Sequence, residues 1–517
     1  MPAPAQTATP AAAAAATLAS VLAARTAALK ALHVRAPQSL QVMGTIEGAG
    51  LGGRFHSWSS PRGQRYDQTI GTRLQSTYRT AGGRLFAVDE NANVREMRGL
   101  MLQRQITGDF IDQEGFAAAP QFDTFNGPLK LADGRQAYAI EVQPKGGLPE
   151  EIDLDAKTWM IDRISYDESD GISSADFYDY KTYQGALVAL REIDSNGDRP
   201  FDLTRTAVRI VVDGSIPPAV FDVPKNNEIV TDVPVTVPLA DHQGHYYTKV
   251  SIHGHPYTFL VDTGAQAIVL DTHVAKDLGL VPEGKLEVYG AQRIGGLGIA
   301  ALDAMQIGSA TLPLKSVSVL DLRNVTGNTF EADGVLGYPF FASAEVQVDA
   351  ANHTMTFGRP GSLHAAGSTI PIDVDRELIE MQGRVNGVRG RFVLDTGNSG
   401  ELLLFAPFMR AHPNLLPPQD HAFANSFGVG GAAQAMSAFV DELDMSDFRF
   451  FNRYSNLMLS SQGAFADRFD AGNIGMGVLR NLVVTFDVAN AHAYASQSNA
   501  FDDGRYRSRP ETSTFPK

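Results

Sequence analysis

The chain carries 517 residues, a formal net charge of −15 and no cysteine. That length exceeds what one hydrophobic core organises, so two or three domains are expected; the acidic balance argues against nucleic acid and anionic membranes as partners, since both need clustered Lys and Arg. The missing cysteines exclude disulfides, thiolate metal sites and cysteine nucleophiles.

The chain opens on MPAPAQTATPAAAAAAT, which reads as a disordered Pro/Ala leader over residues 1–17, followed by a helix near residues 18–32. No Lys or Arg precedes the run from Ala11 to Ala24, whereas a secretory signal starts with a basic region. Neither that run nor a later one reaches the about 20 apolar residues that span a bilayer, so no transmembrane segment is expected. The numbered chain is expected to be a mature form whose export signal has been removed.

Residues 38–228 read as short strands between turns. Val42, Gly44 and Ile46 share one face of a strand, as do Tyr138, Ile140 and Val142, and the stretch from Ile152 to Tyr166 reads as strand, turn and strand. An antiparallel meander follows. Two motifs here mimic ligand sites. Gly48, Gly50 and Gly53 satisfy G-x-G-x-x-G, but strand rather than helix follows, so a loop is expected. Asp194, Asn196 and Asp198 begin like a calcium loop, yet Arg199 stands where glycine is needed. By the order of its elements and the stretch from Ala137 to Tyr180, residues 18–228 resemble the half-barrel of bacterial lipoprotein carriers, an antiparallel sheet curved around a helix. The resemblance implies a concave apolar face able to hold lipid or lipoprotein, and a periplasmic or secreted location; a docking or folding domain is the alternative left open.

The polar stretch Pro224-Lys225-Asn226-Asn227-Glu228 reads as a linker. Beyond it Asp-Thr-Gly occurs twice, at Asp262-Thr263-Gly264 and Asp395-Thr396-Gly397, each after an apolar run. The surroundings repeat at the same offset of 133 residues (262 to 395): Thr236-Val237-Pro238-Leu239 matches Thr369-Ile370-Pro371-Ile372, and His253-Gly254 matches Asn386-Gly387. The two X-Gly pairs predict two-residue hairpin turns, because glycine accepts the positive φ those turns need. Two homologous lobes follow, over residues 233–360 and 368–496, with a charged, loose tail over 497–517.

A second signature recurs downstream. Asp333-Gly334-Val335-Leu336-Gly337 and Asn473-Ile474-Gly475-Met476-Gly477 each precede an apolar strand ending in Asp. With both signatures in hand, residues 233–496 resemble retropepsin-like aspartic proteases fused in tandem. The expected fold is mainly β: two tandem retropepsin-like β-barrel lobes forming a bilobal pepsin-like unit, preceded by the antiparallel half-barrel domain with its helix.

The resemblance implies an aspartic endopeptidase with Asp262 and Asp395 as its catalytic pair. Two carboxyls a hydrogen bond apart cannot both ionise, so they share one proton; the ionised member deprotonates a water and the protonated member donates to the peptide carbonyl. By the same resemblance Thr263 and Thr396 reach across to the opposite loop, while Gly264 and Gly397 allow close approach to the carboxylates. Neither cofactor nor metal is required. Gly295 and Gly296 in one glycine-rich stretch, and Gly430 and Gly431 in the matching one, are flap candidates over an extended peptide or protein substrate.

The repeats differ in places. Ala265 follows the first Asp-Thr-Gly, but Asn398, able to bond the carboxylate directly, follows the second, and Gly475 is matched with Val335. His242, His245, His253 and His255 lack zinc-protease spacing and read as exposed turn residues, and no G-x-S-x-G elbow occurs. A catalytically weak peptide-binding module, and a lipid or lipoprotein carrier with accessory protease-like lobes, are the competing readings.

Overall fold

A computed structural model describes residues 16–131, 133–326, 332–416 and 422–507. Most of the expected leader and the last ten residues of the expected tail lie outside them. The described chain is mainly β, built on two thirteen-stranded sheets and one of ten strands.

The first helix, Leu18–Ala31, starts where Thr17 and Ser20 satisfy each other's backbone N–H groups, a reciprocal cap that supplies the donors a helix start leaves free. It packs with the helix Gly99–Asp112 on the first sheet, where Val21, Leu22 and Ile111 meet Ile140, Val142, Ile152 and Leu154. All pairings in this sheet join antiparallel neighbours, from Val94–Glu96 at one edge to Asp123–Lys130 at the other. In the glycine-rich stretch at residues 48–53 only Ala49 and Gly50 form the turn of the first hairpin, both at positive φ (50° and 75°), while Gly52 and Gly53 lie on the returning strand.

The two repeats meet in one antiparallel run of six strands, three from each: Val235–Pro238, Thr354–Gly358, Glu345–Asp349, Leu482–Asp487, His492–Gln497 and Ser368–Asp375. At its centre Val346 faces Phe486 and Val348 faces Val484. Beneath it Phe341 and Phe486 pack edge to face with centroids 5.5 Å apart, so one hydrophobic core serves both repeats. The expected hairpin turns form at His253-Gly254 (φ 50° and 84°) and Asn386-Gly387 (φ 48° and 79°).

The amino-terminal sheet is docked onto the repeats. Asn91 Oδ1 accepts from Lys315 N (2.8 Å) and Ser316 N (3.1 Å), and Arg104 pairs with Asp375 at 2.7 Å. The stretch read as a linker is bonded on both sides: Asn226 accepts from Val94 N and donates to the Ala342 carbonyl. The segment after Ser496, expected to be loose, is tied down as far as Arg507, which meets Glu401 at 2.5 Å, while Phe451 N donates to the Asp503 carbonyl at 2.6 Å. Among the described residues no helix is long and apolar enough to cross a membrane.

Candidate active site

Each Asp-Thr-Gly stands at the end of a hairpin strand braced from below by a parallel partner. His255–Val261 runs beside Gly334–Leu336, and Val388–Leu394 beside Gly472–Ile474. The bracing is the same in both repeats, since Asp262 N donates to the Leu336 carbonyl and Asp395 N to the Ile474 carbonyl, each at 3.0 Å. A three-residue strand followed by glycine is therefore what fixes the height of each loop.

The fold then brings the two loops together. Thr263 Oγ1 donates to the Leu394 carbonyl (2.6 Å) and accepts from Thr396 N (2.9 Å), while Thr396 Oγ1 donates to the Val261 carbonyl (2.9 Å) and accepts from Thr263 N (3.0 Å). Both threonines are buried. Each carboxylate is fixed by its own loop, through Gly264 N to Asp262 Oδ1 (2.8 Å) and Gly397 N to Asp395 Oδ1 (3.0 Å). Asp262 and Asp395 share a hydrogen bond. Glycine is required beside them because a Cβ on Gly264 would lie 2.5 Å from Asp395 Oδ1, and one on Gly397 2.5 Å from Asp262 Oδ2.

Burial pushes the Asp262 carboxyl up to about 6. Asp395 is raised well above the usual carboxylate range, first by burial and then by the charge of Asp262. Two acids that close in a site removed from water hold a proton between them at pH values where an exposed pair would be fully ionised.

The flap candidates sit differently from the expectation. In the second repeat the strands Ala422–Gly428 and Gly431–Met445 turn through Val429 and Gly430, so Gly430 lies at the tip and Gly431 opens the returning strand. In the first repeat Gly295 and Gly296 are on the returning strand, Gly296 in a bulge at φ 109°, and the tip is Gly290-Ala291-Gln292. A bulge takes glycine as readily as a turn does, so glycine content alone does not separate the two. The tips touch each other: Gln292 Nε2 donates to the Ala432 carbonyl at 2.8 Å.

The amino-terminal sheet grips the first hairpin. Asp170 takes Arg293 through Nη2 (2.5 Å) and Nε (2.8 Å), and its Oδ2 also accepts from Gly463 N of the second repeat (2.5 Å). Although burial pushes the other way, these donors hold the Asp170 carboxyl below its ordinary value. Asn196, from the motif that mimics a calcium loop, donates to Glu287 of the same hairpin at 2.5 Å.

Three residues escaped the sequence. Register gives Asn473, not Gly475, the place that Val335 has in the first repeat, since Val335 lies beside Leu260 and Asn473 beside Val393, and Gly475 then answers to Gly337. Asn473 Nδ2 donates to Asp395 Oδ2 at 2.7 Å, whereas the Asn398 side chain reaches Asn473 and only the Asn398 backbone reaches the carboxylate. His245 is half-buried rather than exposed and bonds the backbone of Gly397, with burial lowering its pKa; His242, His253 and His255 are exposed as expected.

The aspartyl protease family model matches residues 248–340, which include the first Asp-Thr-Gly and the strand beneath it. Among solved structures the chain is similar to an outer membrane lipoprotein-sorting protein domain from Vibrio parahaemolyticus (12% identity, 40% of this chain and 97% of that one, TM-score 0.28). It is also similar to a DUF1329 family protein from Desulfovibrio piger (14%, 39% and 97%, TM-score 0.29) and a LolA superfamily protein from Nitrosomonas europaea (12%, 38% and 97%, TM-score 0.27). The curated proteins give no match.

Proposed function

We propose that the protein is an aspartic endopeptidase that hydrolyses a peptide bond with a water activated between Asp262 and Asp395. The observation that carries this reading is the reciprocal bonding of the buried Thr263 and Thr396, which delivers two half-buried carboxyls to one hydrogen bond. In that arrangement one carboxylate removes a proton from water as the oxygen attacks the substrate carbonyl, and the other carboxyl gives its proton to the carbonyl oxygen. As the tetrahedral intermediate collapses, the carboxyl that took the proton of water gives it to the departing amine nitrogen while the other carboxylate recovers a proton from the diol hydroxyl, so the C–N bond breaks, the pair ends with one proton as it began, and no covalent intermediate forms.

On this reading residues 233–360 and 368–496 are two retropepsin-like lobes of one pepsin-like unit, working within a single chain because the six-stranded run joins them. The hairpins tipped by Gln292 and Gly430 are its flaps, and an extended peptide or protein segment is the substrate. Residues 18–228 form a half-barrel domain that steadies the first flap, and the working place is the periplasm or the cell exterior. A lipid- or lipoprotein-binding role for the half-barrel is the second reading, favoured by an antiparallel sheet whose apolar side chains face two helices.

Incubation of the protein with a mixed peptide library between about pH 3 and pH 8 tests the proposal. Cleavage that a statine-type mimic of the tetrahedral intermediate blocks is the expected result. Neither cleavage nor binding of the mimic anywhere in that range would defeat it.

A further inference from the structure

We infer that Asn473 is a positioning residue for Asp395, held by Asn398, and that this pair of amides makes the two halves of the site chemically unequal. The inference rests on the hydrolytic reading and deepens it. Its ground is register. Phe259, Leu260 and Val261 lie opposite Gly334, Val335 and Leu336, while Phe392, Val393 and Leu394 lie opposite Gly472, Asn473 and Ile474. Asn473 thus stands where the first repeat has Val335, and Asn398 where it has Ala265. Two apolar positions have become two amides.

Asn473 is only 6% exposed, and a buried amide is costly unless its donors and acceptors are met. Here they are met in a line. Gly400 N donates to Asn398 Oδ1 (2.8 Å), Asn398 Nδ2 donates to Asn473 Oδ1 (2.8 Å), and Asn473 Nδ2 donates to Asp395 Oδ2 (2.7 Å). The first donor is a backbone N–H, which cannot accept. Asn398 must therefore show it oxygen, turn its nitrogen to Asn473, and leave Asn473 no choice but to aim its own nitrogen at the carboxylate. Gly475 makes the room, because a Cβ there would stand 2.6 Å from Asn398 Nδ2.

Asp395 is consequently held at both oxygens: Oδ2 by Asn473, and Oδ1 by Gly397 N and Asn398 N at 3.0 Å each. The side chains at the matching places beside Asp262, Ala265 and Val335, have no N–H to give. Donors favour the ionised carboxylate. The pair therefore lowers the pH at which Asp395 gives up its proton, and it fixes the carboxyl plane that the attacking water meets.

The test moves the first repeat's residues into the second, as Asn473→Val and Asn398→Ala. For the full chain, the alkaline limb of the kcat/KM profile on a cleaved peptide is expected to move up by about one pH unit in N473V and by less in N398A. An infrared pH titration of the dyad carboxyls, isolated by difference against D395N, should move the same way and needs no turnover. If wild type cleaves peptide and N473V keeps its alkaline limb, the role of Asn473 falls and the hydrolase stands. If wild type does not cleave, the hydrolase falls, and identical infrared titrations of wild type and N473V then overturn the inference by themselves. N398A carries the same comparison should N473V fail to fold.

Discussion

Thr263 and Thr396 hold each other across the two repeats: the backbone N–H of each donates to the other's hydroxyl, and each hydroxyl donates to the carbonyl just before the opposite carboxylate. Thr263→Val keeps the shape but leaves Thr396 N and the Leu394 carbonyl buried without a partner. It is expected to cost roughly 2–3 kcal/mol of stability and, through misplacement of Asp395, at least about tenfold in kcat/KM. Thr263→Ser should restore most of both. Thermal unfolding beside peptide kinetics reads the two effects.

The dyad is destabilising at neutral pH. The folded Asp262 carboxyl titrates at about 6, above the roughly 3.9 of an unfolded chain. The native state thus keeps a proton that the unfolded state releases, and this contribution to stability is present at low pH and lost as pH rises from about 4 through about 6. Asp262→Asn should raise the unfolding midpoint at pH 7.5, by on the order of 2 kcal/mol, with the advantage gone by about pH 4. Midpoints measured at the two pH values check the sign.

Under the second repeat lies a buried ionic cluster in which Arg391 meets Glu380 (2.9 Å) and Asp470 (2.7 Å), while Arg376 meets Asp467 (2.6 Å). Burial, then the charge of Asp470, lifts Glu380 well above its ordinary value, and burial lifts Asp470 to about 6. Arg391→Met strands two acids in the interior and is expected to cost about 3–5 kcal/mol. Since stranded acids must take up protons, the loss should be smaller at pH 5 than at pH 8. Denaturant unfolding at both pH values measures it.

Asp170 ties the first hairpin to the amino-terminal sheet through Arg293 and to the second repeat through Gly463. Asp170→Asn is expected to speed amide exchange over residues 286–297 by more than about tenfold, leaving the six-stranded run unchanged, and to raise KM more than it lowers kcat. Hydrogen exchange read peptide by peptide decides the matter. Equal exchange over 286–297 would show that the grip does not order the hairpin.

Much of this architecture was legible in the sequence because its signals are local. His253-Gly254 and Asn386-Gly387 specify their turns by backbone chemistry alone, and the two Asp-Thr-Gly loops declared themselves by the repeat around them. What escaped depends on register or distance. Asn473 looks like any residue of a short strand until pairing sets it against Asp395, 78 residues away. The tip of the first hairpin lies away from its glycines because Gly296 marks a bulge, and glycine serves bulges and turns alike. The docking of Arg104 on Asp375 spans 271 residues and carries no periodic signal at all.

Whether Asp262 and Asp395 act as one site is read most directly from separate changes of each to Asn. Measured on a peptide that wild type cleaves, with folding checked by thermal unfolding, each single variant is expected to lose at least about a thousandfold in kcat/KM. Cleavage near the wild-type rate by either variant would contradict a single site, because a dyad that shares one proton cannot work with one carboxyl.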